Sequence, residues 1–194
     1  GTPVYVSGDI VLAKTFAKHI IEVFENCESD YIVAACATCA EALKVEYPKM
    51  FAEDPDMKAR AEALANKTYE ISEFLVDIVD FRKDNLGAVN AVVTMHDPCH
   101  MARGLGITEQ PRAILKAIPG LTFVEMKEAD RCCGSGGSFS LTHYQLSRQI
   151  NDKKINNIKA TQANMVATSC GTCRMQINDG LVQNKLDVNA VHVV

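Results

Sequence analysis

Hydrophobic and polar side chains alternate with helical spacing along the first half of the chain, except in one short run that is typical of a strand. Apolar residues recur every three or four positions over residues 9–24, which is typical of an amphipathic helix. Residues 31–35 form a short apolar run that fits a buried strand and leads into a helix ending near Pro48. Further helices are predicted over residues 55–65 and 71–81.

Strand and helix patterns alternate through the second half of the chain. At its first predicted helix, Asp97 is expected to be the N-cap and Pro98 the first helical residue. The predicted order is strand 88–96, the helix from Asp97, helix 111–117, strand 121–126, glycine-rich loop 131–137, helix 139–158, strand 165–169, helix 170–182 and strand 191–194. This alternation favours an α/β fold with mostly parallel sheets.

The two halves share an order of elements. A shift of 134 residues places Cys36 on Cys170 and Cys39 on Cys173, each pair between a strand and a helix. Counterparts of the other cysteines would lie before the first residue, so we expect the first copy to be incomplete and the chain to be N-terminally truncated.

A turn signal at residues 84–87 separates the copies. We therefore expect two pseudo-repeated Rossmann-like halves. Residues 1–86 would hold a partial first repeat and a helical connection, and residues 87–194 a complete second repeat.

Charge and hydropathy exclude two broad classes. The chain has 20 basic and 24 acidic residues, a net charge of −4, which argues against general nucleic-acid binding. No apolar run approaches the roughly 18 residues of a membrane span, and no signal-peptide pattern is present.

The chemistry of the chain lies in its 8 cysteines. They make up about 4% of residues, well below the more than 8–10% of small secreted disulfide scaffolds. In a reduced compartment, clustered cysteines more often bind metal or perform redox chemistry. Five of them follow predicted strands or precede predicted helices, and so converge on the carboxyl edge of a parallel sheet. These five are Cys99, Cys132, Cys133, Cys170 and Cys173.

Five thiols, two of them adjacent, favour an iron–sulfur cluster over a zinc ion. A structural zinc site takes four tetrahedral ligands, and adjacent cysteines reach one ion awkwardly. Zinc, redox disulfides and free thiols remain alternatives. Arg103, Arg131 and Arg174 flank the cysteines and would offset cluster charge, and glycines at 134, 136 and 137 would let backbone approach the sulfurs.

The segments His96-Asp97-Pro98-Cys99-His100, Asp130-Arg131-Cys132-Cys133-Gly134 and Cys170-Gly171-Thr172-Cys173 resemble a known family. They are similar to the cysteine-rich CCG domain of iron–sulfur oxidoreductases, which include heterodisulfide reductases of the B type and the glycolate oxidase iron–sulfur protein. The resemblance covers nearly the whole chain and is greatest to the short lactate utilization members, which lack ferredoxin-type motifs.

This resemblance implies a cytoplasmic, non-autonomous electron-transfer subunit of a complex that oxidises a 2-hydroxy acid such as L-lactate. Its partners would be other subunits, including a ferredoxin-type iron–sulfur protein. It implies an iron–sulfur cluster of the 4Fe-4S type on the five cysteines. A disulfide-reducing catalytic subunit of the heterodisulfide reductase B type and a structural zinc-binding protein are the alternative functions.

The remaining candidates have plainer interpretations. Cys36 and Cys39 match only the closing pair of the family's first copy, so they are either remnant ligands or thiols that pack or oxidise. Cys27 matches no motif and is expected to pack as a small apolar residue. His96 and His100 would either contact the site or be satisfied structural histidines. The glycine-rich loop lacks the spacing of a dinucleotide site.

Overall fold

The computed structural model describes all but five of the 194 residues, in two compact units. The described ranges are 1–79, 81 and 86–194. Unit 1 comprises Gly1–Ile71 and unit 2 comprises Ser72–Val194. The predicted turn at residues 84–87 begins with two residues that lie outside the described ranges.

Unit 1 is mostly helical and contains a two-stranded parallel sheet. Its elements are α1 (Thr2–Val6), α2 (Ile10–Glu25), β1 (Ile32–Ala34), α3 (Ala37–Glu41), a π-helical segment (Ala42–Glu46), α4 (Tyr47–Met50), α5 (Pro55–Lys67) and β2 (Thr68–Glu70). β1 pairs with β2 in register from Ile32 opposite Thr68 to Ala34 opposite Glu70. Apolar side chains of α2, the π-helical segment and α5 form the core, among them Ile21, Leu43 and Leu64.

Two sequence predictions for unit 1 need correction. The helix expected to end near Pro48 continues to Met50 through the π-helical segment. A proline ring clashes with the carbonyl four residues before it in a regular α-helix, and a wider π turn moves that carbonyl aside. β2 had not been predicted, because three residues with a polar end give no clear alternation.

Unit 2 is an α/β unit, and the four strands among its described residues are all parallel. Its elements are α6 (Ile71–Glu73, which begins at the unit boundary), a π-helical segment (Phe74–Ile78), β3 (Ala91–Met95), a π-helical segment (His100–Leu105), α7 (Glu109–Ala117), β4 (Leu121–Phe123), α8 (Phe139–Thr142), α9 (Tyr144–Ala160), β5 (Met165–Thr168), α10 (Gly171–Gln183) and β6 (Asn189–His192). The helix predicted over residues 71–81 thus ends at Ile78. The strand order β4-β3-β5-β6 confirms the predicted α/β fold with parallel sheets.

The strand order reverses between β3 and β5. After β3 the chain adds β4 on one side, then returns to add β5 and β6 on the other. In open parallel sheets, a crevice at such a switch point, outside the carboxyl ends of the strands, is the usual ligand site. The cysteines that follow β3 and β5 lie at this point of the fold.

The helix predicted to begin at Asp97 starts later. The π-helical segment follows Cys99, and the carbonyl of Pro98 accepts the backbone N–H groups of Met101 and Ala102. Asp97 is not an N-cap because its carboxylate is bound by Arg112 instead. Among the described helices, none has the length and apolar character needed to cross a membrane.

Candidate metal centre

Three segments of unit 2 bring five thiols together. Cys99 follows β3, and Cys170 directly precedes α10, whose first turn carries Cys173. The loop after β4 carries Cys132 and Cys133. All eight cysteines of the chain are described, and none forms a disulfide.

The five thiols contact one another in a continuous series. Cys132 lies between Cys99 and Cys133 and hydrogen-bonds to both, which lowers the pKa of Cys132 well below its usual range. The backbone N–H of Gly134 donates to the same sulfur at 3.3 Å. Cys173 hydrogen-bonds to Cys133 and Cys170, and these contacts together with burial raise the pKa of Cys173. Negative charge therefore concentrates on Cys132, which is also exposed to solvent.

His96 joins this group from the end of β3. Its ligand nitrogen and the sulfurs of Cys133 and Cys173 all lie within 4.8 Å of one another. Burial lowers the pKa of His96 to about 3, so its imidazole is neutral at physiological pH. Among the described residues, neither ring nitrogen has a hydrogen-bond partner. His96 is therefore not the satisfied structural histidine that the sequence allowed.

A polar stripe on α9 holds the loop that carries Cys132 and Cys133. Ser147, Asn151 and Lys154 recur at helical spacing, and all three are fully buried. Their side chains donate to main-chain carbonyls of the loop at 2.9–3.0 Å. The acceptors, in chain order, are the carbonyls of Glu128, Ala129, Cys133 and Gly134.

Two glycines allow the close packing around this stripe. Gly134 has φ +94°, and a Cβ there would lie 2.6 Å from the backbone oxygen of Ser147 on α9. A Cβ at Gly180 of α10 would lie 1.8 Å from Oδ1 of Asn151. A side chain at either position would push the loop or α10 away from α9.

A buried ion pair supports the segment between β3 and Cys99. Arg112 of α7 binds Asp97 through two hydrogen bonds of 2.8 and 2.9 Å. It also binds Glu125 at 2.7 and 2.8 Å, which lowers the pKa of that carboxyl. This pairing fixes the backbone two residues before Cys99.

The predicted basic residues are partly committed to other groups. Arg103 pairs with Asp130 at 3.3 Å. The contact between Cys99 and Cys132 raises the pKa of Cys99, and the positive charge of Arg103 opposes this rise. Arg131 is held by Glu128 through hydrogen bonds of 2.5 and 2.9 Å. Arg174 is exposed on α10.

The other candidate cysteines belong to unit 1. Cys36 precedes α3 with φ −139° and ψ 119°, almost identical to the φ −138° and ψ 118° of Cys170 before α10. Cys39 lies in the first turn of α3, as Cys173 does in α10. Cys27 is exposed, and its thiol donates to a carbonyl of α2 at 3.4 Å, so the expectation that it packs was wrong.

Sequence reasoning missed the α9 stripe. Its only signal was the spacing of Ser147, Asn151 and Lys154, which on an isolated helix predicts a solvated face. The five thiols and the imidazole of His96 form a soft donor set that suits a thiophilic metal centre. The nitrogens of His96, which have no partner among the described residues, support this fit, since buried polar groups in native proteins nearly always have one.

Comparisons with known proteins agree with this chemistry. The family model CCG, described as a cysteine-rich domain, matches residues 1–44 and 93–178. "Lactate utilization protein A" of Geobacillus sp. (strain WCH70) is 38% identical, and its namesake in Bacillus cytotoxicus is 37% identical. "Lactate utilization protein A 1" of Bacillus cereus (strain AH820) is 36% identical. Each alignment covers 100% of this chain and 79% of the relative.

Proposed function

Because the chain belongs to the CCG family of cysteine-rich domains, we propose that it is an iron–sulfur electron-transfer subunit that acts in lactate utilization. The complex to which it belongs would oxidise a 2-hydroxy acid such as L-lactate. The cluster ligands that we propose are Cys99, Cys132, Cys133, Cys170 and Cys173. The names of relatives 36–38% identical to the chain support the physiological role.

The convergence of five thiols carries this proposal. They come from three segments remote in sequence, and they contact one another where the strand order reverses. Cysteine thiolates are the usual protein ligands of iron–sulfur clusters. A zinc ion would use only four of these donors, whereas a cluster of several irons offers sites for all five.

The protein's own groups would bind the cluster and adjust its charge. When bound, the cluster supplies reversible one-electron chemistry. The N–H of Gly134 donates to Cys132, and Arg103 adds positive charge near Cys99. Cys170 and Cys173 lie at the positive end of the α10 dipole. Each of these groups favours the more negative, reduced state and so raises the potential.

The exposed side of the group suggests where electrons would pass. Cys132 is exposed and Cys99 is half-buried, whereas Cys133 and Cys170 are buried. Electron transfer to another protein requires a short path from cluster to surface, and Cys132 offers one. We propose that a ferredoxin-type iron–sulfur subunit receives or delivers electrons on this exposed side, next to Cys132. In unit 1, we propose Cys36 and Cys39 as a separate pair of remnant ligands.

Anaerobic reconstitution with iron and sulfide tests the proposal. We expect a brown chromophore, with iron and sulfide bound in near-equal amounts. Cys133→Ser should remove or cripple the visible spectrum, because Cys133 contacts Cys132 and Cys173 at the centre of the group. Cys27→Ser is the matched control and should leave the spectrum unchanged.

Two results would contradict the proposal. One is an unchanged spectrum in the Cys133 variant. The other is colourless protein with about one zinc per chain, which would instead support a structural zinc-binding protein that unfolds on chelation. Turnover of a small disulfide by reconstituted protein would favour the disulfide-reductase alternative.

A further inference from the structure

His96 occupies a buried polar environment that the described residues do not satisfy. Its backbone N–H donates to the carbonyl of Ala167 at 2.9 Å, which ties it to β5. Its side chain is fully buried, and both ring nitrogens lack a hydrogen-bond partner within ranges 1–79, 81 and 86–194. The carbonyl of Ala129 is close enough to the ring to oppose the fall in the pKa of His96, but the two do not meet the geometry of a hydrogen bond. It already accepts from Asp97 and Lys154.

Three hydroxyl groups at the same ends of β3 and β5 share this condition. The side chains of Thr94, Thr168 and Ser169 are fully buried and have no hydrogen-bond partner in the described part of the chain. A buried polar group without a hydrogen-bond partner destabilises the folded state, because it has lost its hydrogen bonds to water. A run of such groups at one place indicates a bound species that completes them.

The geometry around His96 shows which species would fit. Its nitrogen and the sulfurs of Cys133 and Cys173 lie within 4.8 Å of one another. Metal–sulfur bonds of about 2.3 Å and metal–nitrogen bonds of about 2.0 Å put tetrahedral ligand atoms roughly 3.5 Å apart. Side-chain shifts of about 1 Å would therefore bring all three atoms onto one metal.

We propose that His96 supplies a nitrogen ligand to the metal atom held by Cys133 and Cys173. This inference adds a ligand to the centre described under the proposed function. The claim that the metal is iron in an iron–sulfur cluster rests on that proposed function. The inorganic centre would then have a mixed sulfur and nitrogen environment. Imidazole is neutral where thiolate is anionic, so a nitrogen ligand completes the coordination of the metal without the negative charge that a further thiolate would add. In iron–sulfur centres, histidine in place of cysteine raises the reduction potential.

The first experiment detects the nitrogen in the wild-type protein. Histidine labelled with ¹⁵N is incorporated, the cluster is reconstituted, and pulsed EPR is recorded in a paramagnetic oxidation state. We expect a directly coordinated nitrogen whose coupling changes with the isotope. This measurement needs no variant. A reconstituted cluster without histidine coupling would overturn the proposal and leave the iron–sulfur function intact.

Two variants assign the signal. His96→Phe keeps a planar ring without nitrogen, so it should remove the coupling and lower the midpoint potential. His19→Gln is the control, because His19 is exposed on α2 in unit 1. Circular dichroism of both variants serves as the test that they fold. A coupling that persists in His96→Phe would assign the nitrogen elsewhere and refute the proposal.

A third experiment separates this inference from the cluster. Co²⁺ alone is added to the apoprotein anaerobically, and its visible bands report thiolate and nitrogen ligands. We expect His96→Phe to weaken Co²⁺ binding at least tenfold. If iron–sulfur reconstitution fails while this loss is seen, the proposed function falls and the His96 assignment stands. Equal Co²⁺ affinity and bands in wild type and variant would overturn it.

Discussion

Arg112→Met should destabilise the protein far more than an exposed arginine change of the same kind. The side chains of Arg112 and Asp97 are 10% and 5% exposed, and two hydrogen bonds join them. Loss of one partner leaves the Asp97 carboxylate buried without its counter-charge. Breaking a buried pair in this way costs about 3–5 kcal/mol. The contribution from Glu125 is small, since its side chain is 51% exposed.

The matched control is Arg60→Met in unit 1. Arg60 also binds its carboxylate partner, Glu25, through two hydrogen bonds, but the two side chains are 38% and 42% exposed. Exposed pairs contribute little to stability, because solvent screens the two charges. The comparison therefore keeps the chemistry of the pair and changes its burial.

Urea unfolding followed by far-UV circular dichroism measures both variants. In thermal unfolding, a loss of 3–5 kcal/mol corresponds to a Tm lower by roughly 6–20 °C for a chain of this size. Asp97→Asn added to Arg112→Met should restore roughly 0.5–3 kcal/mol, because it removes the stranded charge. Equal losses in Arg112→Met and Arg60→Met would refute the reasoning.

Three further predictions concern the loop that carries Cys132 and Cys133, its anchor Lys154, and the cysteine pair of unit 1. Gly134→Ala should lower the free energy of unfolding by about 3 kcal/mol or more, because the new Cβ would meet a backbone oxygen of α9. The control is Gly106→Ala, which is also at positive φ but has open space around it and should cost about 1–2 kcal/mol. Equal losses in the two variants would contradict this reasoning. Burial lowers the pKa of Lys154 from 10.5 to about 8, so the unfolded chain binds more protons between these values. Wild type should therefore gain about 3 kcal/mol relative to Lys154→Met as pH rises from 8 to 10.5, and a flat difference in urea unfolding would contradict the burial argument. Cys36→Ser combined with Cys39→Ser should leave the visible spectrum of the reconstituted centre in unit 2 unchanged, and a bleached spectrum would contradict the ligand set.

Local patterns predicted most of the fold. The alternation of strand and helix over residues 88–194 gave elements that the structure contains within a few residues, because hydrophobic periodicity reflects burial directly. β2 was missed because three residues are too few to show a period. Parallel topology places the carboxyl ends of β3 and β5 at one edge of the sheet, so the convergence of Cys99 and Cys170 on that edge could be anticipated from element order alone.

The parts that the sequence could not predict depend on partners remote along the chain. Asp97 has every local feature of an N-cap, yet Arg112 fifteen residues later binds its carboxylate. The ring of His96 has no hydrogen-bond partner among the described residues. Only the three-dimensional packing shows this, so the sequence could not distinguish His96 from a structural histidine. Asn151 looks like an ordinary helix surface residue until the loop with Cys133 packs against it.

Helix α9 binds the cysteine loop mainly through the main chain of the loop. It also contacts two loop side chains, since Asn157 donates to Oε2 of Glu128 at 3.2 Å and Lys154 donates to the sulfur of Met126 at 3.8 Å. Each of its anchoring groups, Ser147, Asn151 and Lys154, is satisfied by a peptide oxygen that any amino acid would present. Substitution at residue 129 therefore leaves these anchors in place, whereas loss of a polar group on α9 removes an anchor of the cysteine loop. Mutational tolerance in this domain should follow the helix that binds the loop, and an engineer who transplants the centre must carry α9 with it.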